Sequence, residues 1–426
     1  MLATVAATDS RAIGAAANIA SSIATRSGEA EIEAIALAGG RFFDGAMIQT
    51  LSLAAVEDGT LATAVPAAAM DFSLPGPARC LLVSTSGSNS SGRSYGLDVR
   101  TVRRYLRRAG GVSARVPVPA AYELDDLALG MLWAVANVDE SLLGDDALSD
   151  RHRRNSSGYE VLDRSAAALE EADGLSTVSR MWLGSDFCAR HITRHSAALT
   201  GAPTFWTREQ TGEAASAWLL FAHKYDYLQQ QADRLGAVGQ LRRAFCVPPG
   251  AVAGSPRWER VLLLLAVALM ESFGVRTEVS SDPDYAAVEG FVLDGQRRAI
   301  VANWVDAAGI WQVDVTSRPG VLREYADITG HAAARSVTSA TTSRGRVRAF
   351  ADYLGLDWNW LTSRCAELGE CGTAGLIEPR SRLLSTMGLD RACRYVGGLR
   401  HPDALYAATG SKRIESARSS GFPSPV

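Results

Sequence analysis

The chain has 426 residues, of which 47% are hydrophobic, 21% charged and 7% aromatic, so it can bury substantial cores and is not intrinsically disordered. A mean hydropathy of +0.01 excludes a polytopic membrane protein, and a formal charge of −3 leaves no whole-molecule field drawing it to nucleic acid or an anionic membrane. At roughly 100 to 200 residues per domain, the length allows two or three domains.

In chain order, an Ala-rich helix is predicted over Arg11 to Thr25, followed by a strand over Ile32 to Ala38 that ends at Gly39-Gly40. A helix over Phe43 to Ala55, an apolar segment Leu61 to Met70 and a strand at Arg79 to Val83 come next. This alternation predicts a small α/β layer with a parallel sheet. Residues 96–108 read as a helix with Asp98 as N-cap and Val99, Val102 and Leu106 on one face. After Pro117 and Pro119, apolar spacing of three and four predicts helices over Leu124 to Val138, Val161 to Glu171, Phe187 to Ala198, Glu209 to Leu235 and Trp258 to Phe273. The last holds the longest apolar run, Val261 to Met270, about half of the ~20 residues a membrane span needs, and it predicts a buried core helix. From Arg276 to Thr316 the period falls to two, in VRTEVS, AVEGFVLD, AIVANWV and IWQVDVT, which predicts a four-strand antiparallel meander. Helices resume at Val321 to Ala326, Arg346 to Leu354 and Trp358 to Glu367, and the tail from Ser411 is expected to fray.

Among the 43 basic residues only Lys224 and Lys412 are lysines, a ratio that reads as genomic composition bias. Six cysteines lie apart without a CxxC pair, and a chain this long needs no disulfides to fold, so a reducing cytoplasm is the expected setting. MLATVAATDSRAIG has no basic segment ahead of an apolar one, so no secretory signal is expected. Cys188, His191 and His195 fall on one helix face, and thiolate and imidazole are zinc ligands, but the flanking Arg190 and Arg194 weigh against a cation. Cys365 and Cys371, with Glu367 and Glu370 between them, weigh similarly. No metal, cofactor or catalytic residue is assigned, since nucleophile elbow, P-loop, HExxH and Rossmann fingerprints are all lacking. All nine tryptophans follow residue 120 and read as core. In a second reading Trp206-Thr207-Arg208-Glu209-Gln210 and Tyr225-Asp226-Tyr227 line a pocket between the helical and meander parts.

Two neighbouring stretches carry the chemistry. In Leu81 to Ser91 a hydrophobic strand opens into a loop containing Ser84, Ser86, Gly87, Ser88, Asn89 and Ser90, which groups hydroxyls and backbone N–H donors as a phosphate requires. The bland alternative is a polar strand end. Between Arg93 and Arg115, seven arginines face a single carboxylate, Asp98. The 96–108 helix therefore offers Arg100, Thr101, Arg103, Arg104 and Arg107 to phosphates or guanine edges, or else is a solvated basic face.

LLVSTSGSNS resembles the strand and Ser-x-Ser-Gly-x-Thr loop of sugar isomerase (SIS) phosphosugar-binding domains, with Ser84, Ser86 and Gly87 matching and Asn89 in the Thr position. That resemblance covers at most 110 residues and implies that the loop binds a sugar phosphate. The wording of the arginine helix is similar to recognition helices of helix-turn-helix proteins, whose first helix packs just before the turn. From about Tyr122 to Leu399, stretches such as MWLGSDFCARHI, FWTREQTGEAASAWLLFAHK and EGFVLDGQRRAIVANWV resemble the C-terminal region of actinobacterial XRE-type helix-turn-helix regulators. This implies a regulatory role.

The expected fold is mixed α/β and α+β: an N-terminal α/β segment over 1–115, a helical domain over 116–274, an α+β domain with the meander over 275–410, and a frayed tail over 411–426. The expected function is a cytoplasmic, ligand-responsive transcriptional regulator that binds DNA through the arginine helix. The alternatives are a phosphosugar-binding enzyme or sensor without a nucleic-acid role, and a protein-interaction scaffold. DNA, a sugar phosphate or other small anion, and a second copy of the chain are the expected partners, and no membrane is expected.

Overall fold

The computed structural model describes residues 31–57, 61–66, 79–86, 93–109, 113–236, 239–295 and 297–400. The helix expected over Arg11 to Thr25 and the tail lie outside these residues. The fold is mixed α/β, with two sheets and a helical core between and around them.

The first sheet holds β1 (Glu31–Leu37), β2 (Ala46–Glu57), β3 (Leu61–Pro66), β4 (Arg79–Thr85), β5 (Ser94–Asp98) and β6 (Ser113–Pro117), in the order β5-β4-β2-β3-β6 with β1 beside β2. Only β2 and β4 pair in parallel, and the other pairs are antiparallel, so the parallel layer expected here is mainly an antiparallel sheet. The helix expected over Phe43 to Ala55 is instead β2. Ala46, Ile48 and Thr50 are buried while Met47 points outward, a period of two hidden by the alanine content, and neighbours on both edges take the backbone hydrogen bonds. The arginine helix forms as expected: α1 (Val99–Arg108) is capped by Asp98, which accepts the Arg100 N–H, and it buries Val99, Val102 and Leu106.

The second sheet runs β10-β9-β8-β11-β12-β13-β7, formed by β7 (Ser165–Ala167), β8 (Thr204–Thr207), β9 (Arg242–Cys246), β10 (Arg276–Ser280), β11 (Phe291–Asp294), β12 (Arg298–Asn303) and β13 (Trp311–Thr316). The meander has three strands, β11 to β13, rather than four. The fourth expected strand, β10, sits at the far edge, parallel to β9. β7 replaces the helix expected over Val161 to Glu171, because its backbone completes the other edge against β13 and its Ala167 carbonyl accepts the Ile310 N–H. The sheet thus crosses the division expected at residue 275, with three of its strands coming from the segment expected to be helical.

One face of this sheet is covered by a helix over Pro319–Ala334, which buries Leu322, Tyr325 and Ile328 against Phe291 and Val301. The main core lies on the other face and is built by α2 (Asp126–Gly144), α4 (Thr177–His195), α5 (Gly212–Leu220), α6 (Ala222–Leu235) and α8 (Arg257–Ser272), with α3 (Asp146–Ser156) and α7 (Pro249–Gly254) packed at its edge through Leu148 and Val252. The run Val261 to Met270 in α8 is buried, as its apolar character predicts. α2 is long and apolar enough to cross a membrane by length and composition alone, and most of it is buried inside the fold. The single helix expected over Glu209 to Leu235 breaks at Phe221, whose extended backbone bridges Leu384 while Ser385 donates to the Leu220 carbonyl. Three further helices follow the one on the sheet face, which is α9: α10 (Ser343–Tyr353), α11 (Trp358–Cys371) and α12 (Met387–Gly398).

A buried ion network seats the first sheet on this body. Arg79 of β4 donates to Asp98 at 3.1 Å, to Asp139 of α2 at 2.8 Å and to the Glu378 carbonyl at 3.0 Å. Asp139 also receives the Arg380 side chain and the backbone N–H groups of Arg380 and Ser381. Arg79, Asp98 and Asp139 are all buried. Removing one partner of such a set leaves an uncompensated buried charge, at a cost of about 3 to 5 kcal/mol. Arg79→Met should lose about that much in urea denaturation, whereas Arg104→Met, which breaks an exposed pair with Glu378, should lose less than about 1 kcal/mol.

Candidate ligand pocket

The feature richest in unspent polar chemistry lies where α4, α5 and α6 meet the second sheet. β8 and β9 run parallel with Phe205 beside Arg243, so the Arg243 guanidinium lies 4.7 Å over the Phe205 ring. It also lies 4.6 Å over Trp218 of α5. After the break at Phe221, the first turn of α6 presents Lys224, and Tyr227 follows three residues later on the same face. Cys188 of α4, Glu209 beyond β8, and Asn303 and Trp304 at the end of β12 complete the walls. The cleft opens to solvent and encloses a cavity of about 50 Å³. That is room for a small polar group, since one water needs on the order of 10 to 15 Å³ on this measure.

Lys224, Glu209 and Arg243 are each at least nine-tenths buried. The Lys224 Nζ is 3.7 Å from Glu209 Oε1, too far for a hydrogen bond, and 3.7 Å from the Trp218 ring centroid. Burial pushes the ammonium down to about 8 against the opposing pull of Glu209, and Arg243 adds to the depression. Its place in the first turn of a helix acts in the same direction. Burial likewise pushes the Tyr227 hydroxyl and the Cys188 thiol up to about 12, so both stay protonated. Six polar atoms on the lining, Trp206 Nε1, Arg208 Nε, Glu209 Oε2, Trp218 Nε1, the Tyr227 hydroxyl and Arg243 Nε, are buried without a good hydrogen bond in the protein, and the Tyr227 hydroxyl lies against the Arg243 guanidinium. Buried polar atoms are usually paired, so this grouping makes the cleft the candidate ligand site.

The mouth is tied to the first sheet. Asp306, the one non-glycine residue with positive φ among the described residues (55°), pairs with both Arg208 and Arg41, and an aspartate tolerates that conformation. Arg41 belongs to the turn between β1 and β2, and Glu213 of α5 holds that turn by accepting the N–H groups of Arg41, Phe42 and Phe43 at 3.0 to 3.2 Å.

Of the residues expected to line a pocket, Trp206, Thr207, Arg208, Glu209 and Tyr227 do so. Gln210 instead donates to the Ala286 carbonyl, and Tyr225 packs on Phe273. Lys224, Arg243, Trp218 and Trp304 were not foreseen. The rarity of lysine was the one available signal, since an Arg-rich chain that keeps a Lys inside has a use for a compact amine.

The other expected sites are placed as follows. Ser84 is buried and its hydroxyl pairs with that of Thr63. The Ser86 N–H donates to the Arg93 carbonyl, closing the turn of the β4–β5 hairpin, and Gly87, Ser88, Asn89 and Ser90 lie outside the described residues. On α1, Arg100, Arg104 and Arg107 are exposed, while Thr101 and Arg103 are half-buried. What precedes α1 is strand β5, not a packed helix, so the two-helix geometry of a helix-turn-helix is not formed there. Ser86 pairs with Arg93 at one end of β5 and α1 follows the other end, roughly 15 Å away. Among the described residues no group of three or more His, Cys, Asp or Glu side chains is placed to hold a metal; Cys188 lines the cleft, and the His191 and His195 rings lie tilted with centroids 4.4 Å apart.

Comparison with protein-family models, with curated proteins and with solved structures finds no match.

The depressed Lys224 has a measurable consequence. Its folded value lies below the ordinary ~10.4 of a free lysine, so between pH 8 and that value the unfolded chain binds more protons and stability rises with pH. After ¹³C-dimethylation, NMR should show Lys224 titrating near 8. Titration of Lys224 at the ordinary ~10.4 of a free lysine would contradict the buried setting.

Proposed function

We propose that the protein is a ligand-responsive regulator whose ligand is a small organic anion bound in the Lys224–Arg243 cleft. The observation that carries this reading is Arg243: its guanidinium is buried, lies over two aromatic rings, has no carboxylate partner among the described residues and keeps an unpaired Nε. A buried cation without a counter-ion is costly, and an anionic ligand removes that cost. The regulatory half is supported by the Arg208–Asp306–Arg41 contact, because a ligand that shifts Arg208 acts on the turn of the sheet that bears α1. A cytoplasmic setting is part of the reading, supported by six cysteines without a disulfide.

Differential scanning fluorimetry with a panel of small carboxylates and sugar phosphates tests the ligand half. A ligand at 100 times its Kd stabilises by about 2.7 kcal/mol, and Arg243→Gln should abolish that gain. A flat panel for the wild type removes this reading.

A nucleic-acid contact through α1 is the second half, favoured by the exposed side chains of Arg100, Arg104, Arg107 and Arg108 on a helix without an acidic residue. Such a surface binds phosphates without needing helix-turn-helix geometry, and a homo-oligomer would present two copies of it. Affinity for genomic fragments should fall steeply between low and physiological salt and should drop in Arg100→Ala/Arg107→Ala. Equal gel-shift binding by the variant and wild type would exclude α1 as the contact.

A further inference from the structure

Lys224 is the most nucleophilic group in the cleft, and its surroundings are those of a condensing amine. Its ion pair with Glu209 is loose, with Nζ 3.7 Å from Oε1, and the ammonium also lies over the faces of Trp218 and Trp304 at 3.7 and 5.2 Å. The second oxygen of Glu209 has no hydrogen-bond partner in the protein. Arg243 lies against the same Trp218 ring, so the two distances to one centroid keep the amine and the guanidinium within about 8 Å. A molecule with a carbonyl carbon and a carboxylate one bond apart can reach both groups within that limit.

We propose that Lys224 captures small 2-oxo acids covalently, its Nζ condensing with the ketone or aldehyde carbon while Arg243 holds the carboxylate. This rests on the anion-site reading of the cleft and adds the ligand class and the bond. The amine lone pair attacks the carbonyl carbon, and the N–C bond forms as the C=O π pair moves onto oxygen. Glu209 takes one proton from the new C–N ammonium and passes it to that oxygen, giving the carbinolamine. It then moves the second nitrogen proton to the hydroxyl, which leaves as water while the nitrogen pair closes the C=N bond. Both protons of the amine end in the water, and no oxidant, reductant or co-reactant is needed. The cleft favours the step in two further ways. With its ammonium pushed down to about 8, roughly a tenth of Lys224 is neutral at pH 7, far more than for a solvated lysine. Cys188, the competing nucleophile on the wall, is held as the thiol.

The imine is trapped by borohydride in the full-length protein with pyruvate or glyoxylate as the probe. Because the chain has only two lysines, peptide mass mapping of the wild type alone separates capture at Lys224 from adventitious reaction at Lys412 or the N-terminus. The expected result is a carboxyethyl or carboxymethyl group on Lys224, at least tenfold in excess over Lys412. It should be absent in Lys224→Arg and reduced at least tenfold in Glu209→Gln. Arg243→Gln should depress labelling by pyruvate while leaving labelling by acetaldehyde, which has no carboxylate, within twofold. Thermal stabilisation by pyruvate without any adduct at Lys224 overturns the covalent step and leaves the anion site standing. Equal labelling of Lys224 and Lys412 overturns the proposal as well. Absence of both stabilisation and adduct, for every anion tried, overturns the anion-site reading beneath it.

Discussion

A guanidinium cannot stay inside a protein without acceptors for its donors, and Arg79 makes that requirement an organising one. Its position in β4 obliges Asp98, Asp139 and the Glu378 carbonyl to converge from three separate parts of the chain. The same device recurs. Arg346 of α10 makes a two-point contact with Glu271 of α8, which also accepts from Thr277 and Ser343, and Arg364 of α11 pairs with Asp125 at the start of α2. Each joins elements that apolar packing alone would let slide, because a planar five-donor fork accepts few geometries. In a chain that uses arginine almost to the exclusion of lysine, a few guanidinium groups thus serve as internal ties. This is one reason the near-zero net charge says little about partners.

How far the fold can be read from the sequence depends on how local the deciding forces are. α1 and α8 are settled by their own residues, a capping aspartate in one and an unbroken apolar run in the other, and both form where the pattern places them. β2 and β7 are settled by neighbours. Their alanine-rich sequences are compatible with helix, and only the open backbone edges of β4 and β13 draw them into sheets. The same holds for β10, whose alternating pattern identifies a strand but not its partner. Pairing with β9 across the α7–α8 segment is a long-range choice invisible to a window of a few residues.

The cleft divides in the same way. The WTRE stretch and Tyr227 could be suspected from aromatic and charged residues set close together in sequence. Arg243 could not, because it reaches the cleft only through the parallel pairing of β9 with β8. Lys224 stood out in the composition, but rarity reads as bias until burial is known, and it is the depth of the site that turns a rare residue into an informative one. Of the serine loop only Ser84 and Ser86 lie among the described residues, and Ser84 pairs with Thr63 across the sheet, a partner that the local string of hydroxyls does not announce.

The segment from Gly375 to Ser385 fastens the first sheet through Asp98 and Arg79, fixes Asp139, and bridges Phe221 at the break between α5 and α6. Its contacts reach back 299 residues to Arg79. On a ribosome, therefore, Arg79, Asp98 and Asp139 lack these partners until the last tenth of the described chain is made. Non-local closure of this kind slows folding and leaves apolar faces exposed meanwhile. A chain cut short before this segment would leave Arg79, Asp98 and Asp139 buried without these acceptors and donors, which raises the cost of forming the same packing.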